Sequence, residues 1–166
     1  MDNKLKATVM IGRFQPFHRG HKEIARIAMT LKPTNQLVIA IIKRDGKNIS
    51  NTSPWSSKWM KQMIKRMVPE AIVIEVENAF IMNVLPDGLE LDAIVCGPDR
   101  KSSYERMIGK SAPEVALLNI PEIYKIRGTL VRQAIDEGDV KEFQRMMPLN
   151  ADLRMWKSMQ YEDLED

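Results

Sequence analysis

The run QLVIAII at residues 36–42 constrains the fold more than any other part of this chain. After its first residue it contains no polar side chain, which is typical of a parallel strand with both faces covered. Parallel strands need long crossover connections, and these are usually helices. The run therefore predicts a sheet whose strands alternate with helices along the chain.

The rest of the sequence shows this alternation. Apolar runs typical of strands occur at 7–12, 36–42, 71–77, 91–97 and 114–120. Helical patterns lie between and after them, at 19–31, 55–67, 102–108, 128–138, 139–147 and 151–159. The run at 71–77 alternates in polarity, so we expect it nearer a sheet edge. The pattern predicts an α/β protein, a doubly wound Rossmann-like domain with a parallel five-stranded sheet and C-terminal helices.

Some helix ends are also marked in the sequence. We expect Thr129 to cap the helix at 128–138 and Gly138 to end it. Asp139 and Glu142 have the spacing of a capping box for the next helix. We expect one domain over residues 1–166, with its motifs within about 7–147 and a C-terminal helix and acidic tail at 148–166.

Composition limits where in the cell the protein is expected and whether it binds a membrane. Apolar residues make up 44% of the 166 and charged residues 28%, which is typical of a globular protein. No apolar run approaches the ~20 residues that span a bilayer, and the N-terminus lacks a signal-peptide pattern. The single cysteine, Cys96, excludes an intramolecular disulfide and disfavours a cysteine-built zinc site. We therefore expect a cytoplasmic protein that binds no membrane.

Both histidines of the chain fall in one short stretch, GRFQPFHRGH, at the junction of a strand and a helix. If Arg19 opens the helix, His18 and His21 share one face, and Gly20 leaves room for a ligand beside the backbone. A helix N-terminus attracts anions, and imidazole donates to phosphate oxygens, so phosphate is the favoured ligand. The alternatives are two unrelated surface histidines, or a metal pair with Glu23 as third ligand.

The ten residues GRFQPFHRGH resemble the HxGH signature of the nucleotidyltransferase superfamily, and most closely that of the nicotinamide-mononucleotide adenylyltransferases. Downstream, IRGTLVRQAI at 126–135 resembles the late ISxTxxR motif of that family, with Arg127 where serine is usual. VCGPDRKSSYERM at 95–107 is similar to a glycine-rich turn of adenylyltransferases that are fused to hydrolase domains, although we expect no such partner here. SPWSSKWMKQMI at 53–64 is similar to a segment lining the acceptor pocket.

The resemblance implies roles for residues of this chain. The catalytic residues would be His18, His21 and Arg132. The nucleotide would be bound by Gly12, Arg13, Phe14, Gly20, Gly97, Asp99, Arg127, Gly128 and Thr129. The acceptor would be bound by Lys43, Trp55 and Tyr104. Arg44 and Arg100 are further candidates for phosphate or ribose contacts.

The implied reaction is direct transfer of AMP from ATP to nicotinamide mononucleotide, giving NAD and pyrophosphate. Mg²⁺ is expected as cofactor, held mainly by substrate phosphates and water rather than by a protein metal site. Departures from the family pattern at Trp59, Met60 and Arg127 leave other acceptors open, such as phosphopantetheine or a sugar or alcohol phosphate, and CTP as donor.

A third hypothesis is a nucleotide- or nucleic-acid-binding module without catalysis. The net charge of +3 suits an anionic ligand but is too small to indicate nucleic acid, so we expect small-molecule partners and no nucleic acid. Because the family often assembles, a homo-oligomer is an open alternative to a monomer.

Overall fold

The computed structural model describes residues 4–44, 49–78, 85–97, 100–109, 114–122 and 124–162. Within these ranges the chain forms one sheet of five strands. They are β1 (Leu5–Gly12), β2 (Gln36–Ile42), β3 (Ile72–Val76), β4 (Leu89–Cys96) and β5 (Ala116–Asn119). The helices are α1 (Arg19–Leu31), α2 (Ser57–Met67), α3 (Lys101–Ile108), α4 (Gly128–Glu137), α5 (Val140–Met146) and α6 (Leu153–Ser158).

The strand order is β3-β2-β1-β4-β5, and every neighbouring pair is parallel. The chain adds β2 and β3 on one side of β1, then returns to add β4 and β5 on the other. This confirms the α/β, Rossmann-like prediction, including the edge position of β3. Strand order reverses between β1 and β4, where open parallel sheets bind their ligands.

Both faces of β2 are covered, as its unbroken apolar run predicts. Ile39 and Ile41 belong to the larger of two apolar clusters, which packs the sheet against α1, α2, α4, α5 and α6. Val38 and Ala40 point to the other face, where the cluster includes residues of α3. All four side chains are buried. Alternation along a strand therefore divides one apolar run between two cores.

The predicted end of α4 at Gly138 is confirmed and the predicted cap at Thr129 is wrong, while the capping box of α5 forms by half, since the Glu142 carboxylate accepts from Arg145 instead. Gly138 ends α4 with a left-handed φ of 68°, and the Asp139 carboxylate accepts the backbone N–H of Glu142 at the start of α5. The N-cap of α4 is Arg127, with no side-chain cap. Thr129 is instead inside the first turn, where its hydroxyl accepts from Arg132 Nη2 at 3.2 Å.

The C-terminal helices pack back onto the start of the fold. Arg19, the first residue of α1, donates to the carbonyls of Gln144 and Met147 at 3.2 Å each. Trp156 of α6 is fully buried, and its carbonyl accepts from the Trp55 indole at 2.9 Å. The Arg19 contacts hold the end of α5 beside the start of α1, and the Trp55 contact holds α6 against the segment before α2. In the described part of the chain, no helix is both long enough and apolar enough to cross a membrane.

Candidate functional site

A cleft opens at the carboxyl ends of β1, β4 and β5. It consists of a larger cavity of about 700 Å³ and a smaller one of about 310 Å³. The two cavities share five lining residues, Arg13, Phe14, His21, Glu122 and Arg127. The cleft is therefore continuous, and it lies where the strand order reverses.

The turn after β1 is held by aromatic packing. Phe14 has a left-handed φ of 51°, which is unusual for a residue with a side chain. Its ring packs on Phe17 and, edge-on, against His21, with centroids 5.3 and 5.0 Å away. A Cβ on Gly12 would approach the Phe14 ring to 3.0 Å, so glycine lets this ring lie against the end of the strand.

His18 and His21 begin α1 together, as the sequence predicts. His18 is the N-cap, and its Nδ1 accepts the backbone N–H of Gly20 at 3.1 Å. The Nδ1 of His21 in turn accepts the backbone N–H of His18 at 3.1 Å. The two imidazoles thus form a reciprocal capping box, a role that serine and glutamate usually fill.

This geometry determines the chemical form of both imidazoles. Burial lowers the pKa of His18 to about 4. Burial and then the neighbouring His18 lower the pKa of His21 well below its ordinary value. Both rings are therefore neutral at pH 7. Because each Nδ1 accepts a hydrogen bond, the proton of each ring is assigned to Nε2, which leaves two uncharged N–H donors. His18 lines the smaller cavity, and His21 lines both.

The space beside Gly20 has a different use from the expected one. A Cβ on Gly20 would lie 2.9 Å from Cε1 of the His18 ring and 3.1 Å from its Nδ1. The glycine therefore makes room for the capping imidazole rather than for a ligand. Gly20 therefore contributes to the site indirectly, by allowing the His18 ring to lie against the start of α1.

The start of α4 contributes to the wall of the smaller cavity, which Arg127, Gly128 and Arg132 line. Nη1 of Arg132 donates to the carbonyl of Gln15 at 2.7 Å. A Cβ on Gly128 would lie 3.0 Å from that same carbonyl oxygen. The late motif and the histidine turn are therefore in direct contact, although 117 positions separate Gln15 from Arg132.

Cationic side chains surround the cleft. Arg13 and Arg127 line both cavities, and Arg100 lines the larger one. Arg44, just after β2, has its pKa lowered by burial and then by the nearby Arg13 guanidinium. Arg44 itself lines neither cavity.

Several predicted site residues share the larger cavity. Gly97 follows β4 and lines this cavity, together with Tyr104 of α3 and Gly12 at the end of β1. Tyr104 therefore lies with residues of the predicted nucleotide group, although it was expected to contact the acceptor. Asp99 lies outside the described residues.

The structure does not bring Trp55 and Lys43 into the cleft. Trp55 is 0% exposed, and its ring packs against Trp156, so no face of it is open to a ligand. The aromatic residue expected at the acceptor pocket is thus a core residue. Lys43 lies 3.1 Å from the Glu77 carboxylate and lines neither cavity.

Glu122, Gln15 and Thr52 line the cleft without having been predicted. Glu122 follows β5 and forms an ion pair of 3.3 Å with Arg127. Its place after a parallel strand was a usable signal, because such positions converge on one sheet edge. Gln15 lies inside the histidine motif but has no ionisable group. Thr52 is in a polar loop, and no sequence signal marks it.

The lining suits phosphate better than a bare metal ion. Of the described residues that line the cleft, Glu122 alone is a carboxylate. Among the described residues no group of three or more histidines, cysteines, aspartates or glutamates could hold a metal. Two neutral imidazoles, several arginines and the start of α4, which has no side-chain cap, are instead groups of the kind that bind phosphate oxygens.

The sequence model of a family described as Cytidylyltransferase-like matches residues 9–163. The chain belongs to this family. The matched span includes the histidine turn, the whole cleft and α4, which confirms the resemblance to nucleotidyltransferases. No curated protein sequence is significantly similar to this cytidylyltransferase-like chain.

Solved structures share the fold of this cytidylyltransferase-like protein at low sequence identity. Two structures of a bifunctional NMN adenylyltransferase/ADP ribose pyrophosphatase from Francisella tularensis are 22% identical to it, with TM-scores of 0.63 and 0.66. They cover 81% and 89% of this chain, which in turn spans 43% and 45% of theirs. The second is a complex with AMP and a manganese ion.

A third neighbour is similar in length. The putative nicotinate-nucleotide adenylyltransferase from Vibrio parahaemolyticus has a TM-score of 0.60 and 14% identity. The match covers 92% of the chain described here and 98% of the Vibrio protein. At such identities the comparison establishes the common fold.

Proposed function

We propose that this cytidylyltransferase-like protein transfers AMP from ATP to nicotinamide mononucleotide, giving NAD and pyrophosphate. The observation that carries the proposal is the stacked pair His18 and His21, which line a cleft that Arg132 also lines. The named activities of the Francisella and Vibrio neighbours support the choice of a pyridine mononucleotide as acceptor.

The reaction needs no covalent enzyme intermediate. An oxygen of the acceptor phosphate forms a bond to the α-phosphorus of ATP, and the bond from that phosphorus to the β-bridging oxygen breaks. Pyrophosphate leaves with the electron pair. The attacking phosphate oxygen is already ionised at neutral pH, so no general base is required. Positioning and charge stabilisation then supply most of the catalysis.

The described residues divide this work between them. His18 and His21 donate through Nε2–H to oxygens of the transferring phosphate, where charge develops. Arg132, Arg127 and the free N–H groups of α4 hold the β- and γ-phosphates. Arg13 and Arg44 attract the acceptor phosphate. Neutral imidazoles suit this role because their N–H groups remain protonated at pH 7, whereas an imidazolium ion with a lowered pKa would lose a proton.

The larger cavity would hold the nucleoside of ATP. Its inner wall is apolar and suits a base, with Met10, Ile24, Val95, Ile120 and Pro121 in the lining. At Gly97 the backbone can approach a ligand closely, because no described atom lies within 4 Å of a Cβ built there. Tyr104 and Arg100 lie at the same cavity and are placed to contact the ribose or base.

Mg²⁺ enters with ATP as part of the substrate. Triphosphate oxygens and water would hold the ion, which would reduce the negative charge of the nucleotide that enters the cationic cleft. The protein's own residues act on the phosphates rather than on the ion. We place the reaction in the cytoplasm, as expected for a protein whose single cysteine, Cys96, is buried and unpaired.

The experiment that tests the proposal incubates the purified protein with Mg²⁺, ATP and nicotinamide mononucleotide and measures NAD and pyrophosphate together. Equal formation of both, abolished in the double variant His18→Ala/His21→Ala, is the expected result. Gln133→Ala, on the exposed side of α4, is the matched control, and thermal unfolding verifies that each variant folds.

A panel of acceptors decides the specificity. Nicotinate mononucleotide, phosphopantetheine and glycerol phosphate are assayed beside nicotinamide mononucleotide, with ATP and with CTP as donors. A clear preference for an acceptor without a pyridine ring would overturn the proposed acceptor while keeping the chemistry. ATP binding without pyrophosphate release from any acceptor would overturn catalysis.

A further inference from the structure

We propose that Gln15 is a positioning residue, which orients Arg132 toward the distal phosphates of the bound nucleotide and couples the phosphate cleft to the segment before α2. The inference rests on the proposed function, because it takes the role of Arg132 from there. Gln15 lies between the strained residue Phe14 and Pro16, at the centre of the turn after β1.

The side chain of Gln15 is fully engaged. It is 6% exposed, and its amide makes two hydrogen bonds to one residue. Nε2 donates to the carbonyl of Trp55 at 2.8 Å, and Oε1 accepts the backbone N–H of Trp55 at 3.0 Å. The amide therefore pairs with Trp55 as a neighbouring strand would. A primary amide is the neutral side-chain group that offers both a donor and an acceptor in this arrangement.

The backbone of Gln15 holds Arg132. Its carbonyl oxygen accepts from Arg132 Nη1 at 2.7 Å, while Thr129 accepts from Nη2 at 3.2 Å. Hydrogen bonds from two of its nitrogens restrict the orientation of the guanidinium, which is rigid and flat. The same carbonyl lies where a Cβ on Gly128 would be 3.0 Å away, so α4 approaches the turn as closely as its glycine permits.

The orientation of Arg132 therefore depends on the contacts between Gln15 and Trp55. If the amide loses its partners on Trp55, the Gln15 peptide is free to rotate, and its carbonyl no longer orients Arg132. The segment that includes Trp55 also carries Thr52, which lines the same cavity. It is anchored from the other side, since the Trp55 indole donates to Trp156 of α6. Gln15 thus links the buried segment around Trp55 to Arg132 in the cleft.

The test measures binding of ATP and of AMP in the presence of Mg²⁺ and without acceptor, so that no turnover occurs. Gln15→Met keeps the length of the side chain and removes both hydrogen bonds. We expect it to weaken ATP binding about tenfold and to leave AMP binding within about twofold. AMP lacks the distal phosphates, so a residue that acts through Arg132 has little effect on it.

Two further variants separate positioning from general destabilisation. Ile39→Val removes one methylene from β2 in the core, away from the cleft, and serves as the control of comparable stability. Gln15→Glu keeps one acceptor for the Trp55 N–H and is used if Gln15→Met does not fold. Its ATP affinity should fall between those of the wild type and Arg132→Ala.

The decisive comparison is a double-mutant cycle with Arg132→Ala. In that background Gln15→Met should change ATP affinity by less than about twofold, because the guanidinium it positions is gone. An undiminished effect in that background, or equal losses for ATP and AMP, would overturn the inference. Coupled losses without any NAD formation would support the inference and refute the proposed acceptor, so the two failures are distinguishable.

Discussion

The imidazole ring of His18 lies stacked on that of His21, with centroids 3.8 Å apart and planes inclined by 26°. Each ring also uses Nδ1 to accept a backbone N–H of the same turn. Two positive charges at this separation would repel strongly, so stacking and capping both require neutral rings. The same contacts that begin α1 therefore produce the paired N–H donors of the cleft.

His21→Ala should lower kcat of NAD formation by about 10²–10³-fold, the usual loss when one transition-state donor is removed. The change also leaves the His18 backbone N–H without its acceptor, so unfolding is measured beside the rate. Retention of more than half the wild-type kcat in a folded variant would remove His21 from the mechanism.

Stability should fall as the pH is lowered from 6.5 toward 4. The unfolded chain binds a proton at His18 near pH 6.5 and the folded chain near pH 4, so protons favour unfolding within this window. From the shift of His18 alone the loss amounts to about 3 kcal/mol.

The comparison variant for this prediction is His18→Asn, whose side-chain oxygen can still cap α1 but does not titrate. Urea unfolding at several pH values should show the wild type losing more stability than the variant on acidification. Parallel stability curves would contradict the assignment of this loss to His18.

Gly97→Ala should separate stability from ligand binding. Among the described residues nothing lies within 4 Å of a Cβ at this position, so the unfolding temperature should not change. If the nucleotide lies against this backbone, the KM for ATP should rise about tenfold, equivalent to about 1.4 kcal/mol. An unchanged KM would place the nucleoside elsewhere in the larger cavity.

Trp55→Phe should destabilise the fold and spare the reaction. The variant leaves the buried Trp156 carbonyl without its donor, which costs about 1–3 kcal/mol. Since the Trp55 ring faces the core, the KM for the acceptor should stay within about twofold. A large increase in that KM, measured at a temperature where the variant is folded, would restore Trp55 to the acceptor pocket.

Secondary structure was largely predictable because the central strand β2 is buried on both faces and the longer helices are amphipathic. The run at 36–42 coincides with β2, and the helix predicted at 19–31 coincides with α1. The wrong cap at Thr129 has a local cause. Its hydroxyl has an alternative partner in the Arg132 guanidinium three residues later, and the sequence does not show which of the two it takes.

The site was predictable only in part. Residues within one motif, such as His18 and His21, are brought together by helix geometry, and their spacing alone is sufficient to place them. Trp55 shows the limit of this reasoning, because an aromatic residue beside a polar loop can face either a ligand or the core. Its partner Trp156 lies 101 positions away, so no local pattern reveals which.

The sequence by itself determined the class of fold, the turn with the two histidines and the family resemblance, because these depend on short-range periodicity and on contiguous motifs. Only the tertiary structure decided that Gln15 contacts both Trp55 and Arg132, that Lys43 pairs with Glu77, and that Glu122 faces the cleft. Those contacts depend on the strand order and on how the C-terminal helices pack back. Both result from the burial of apolar surface over the whole chain rather than from any single segment.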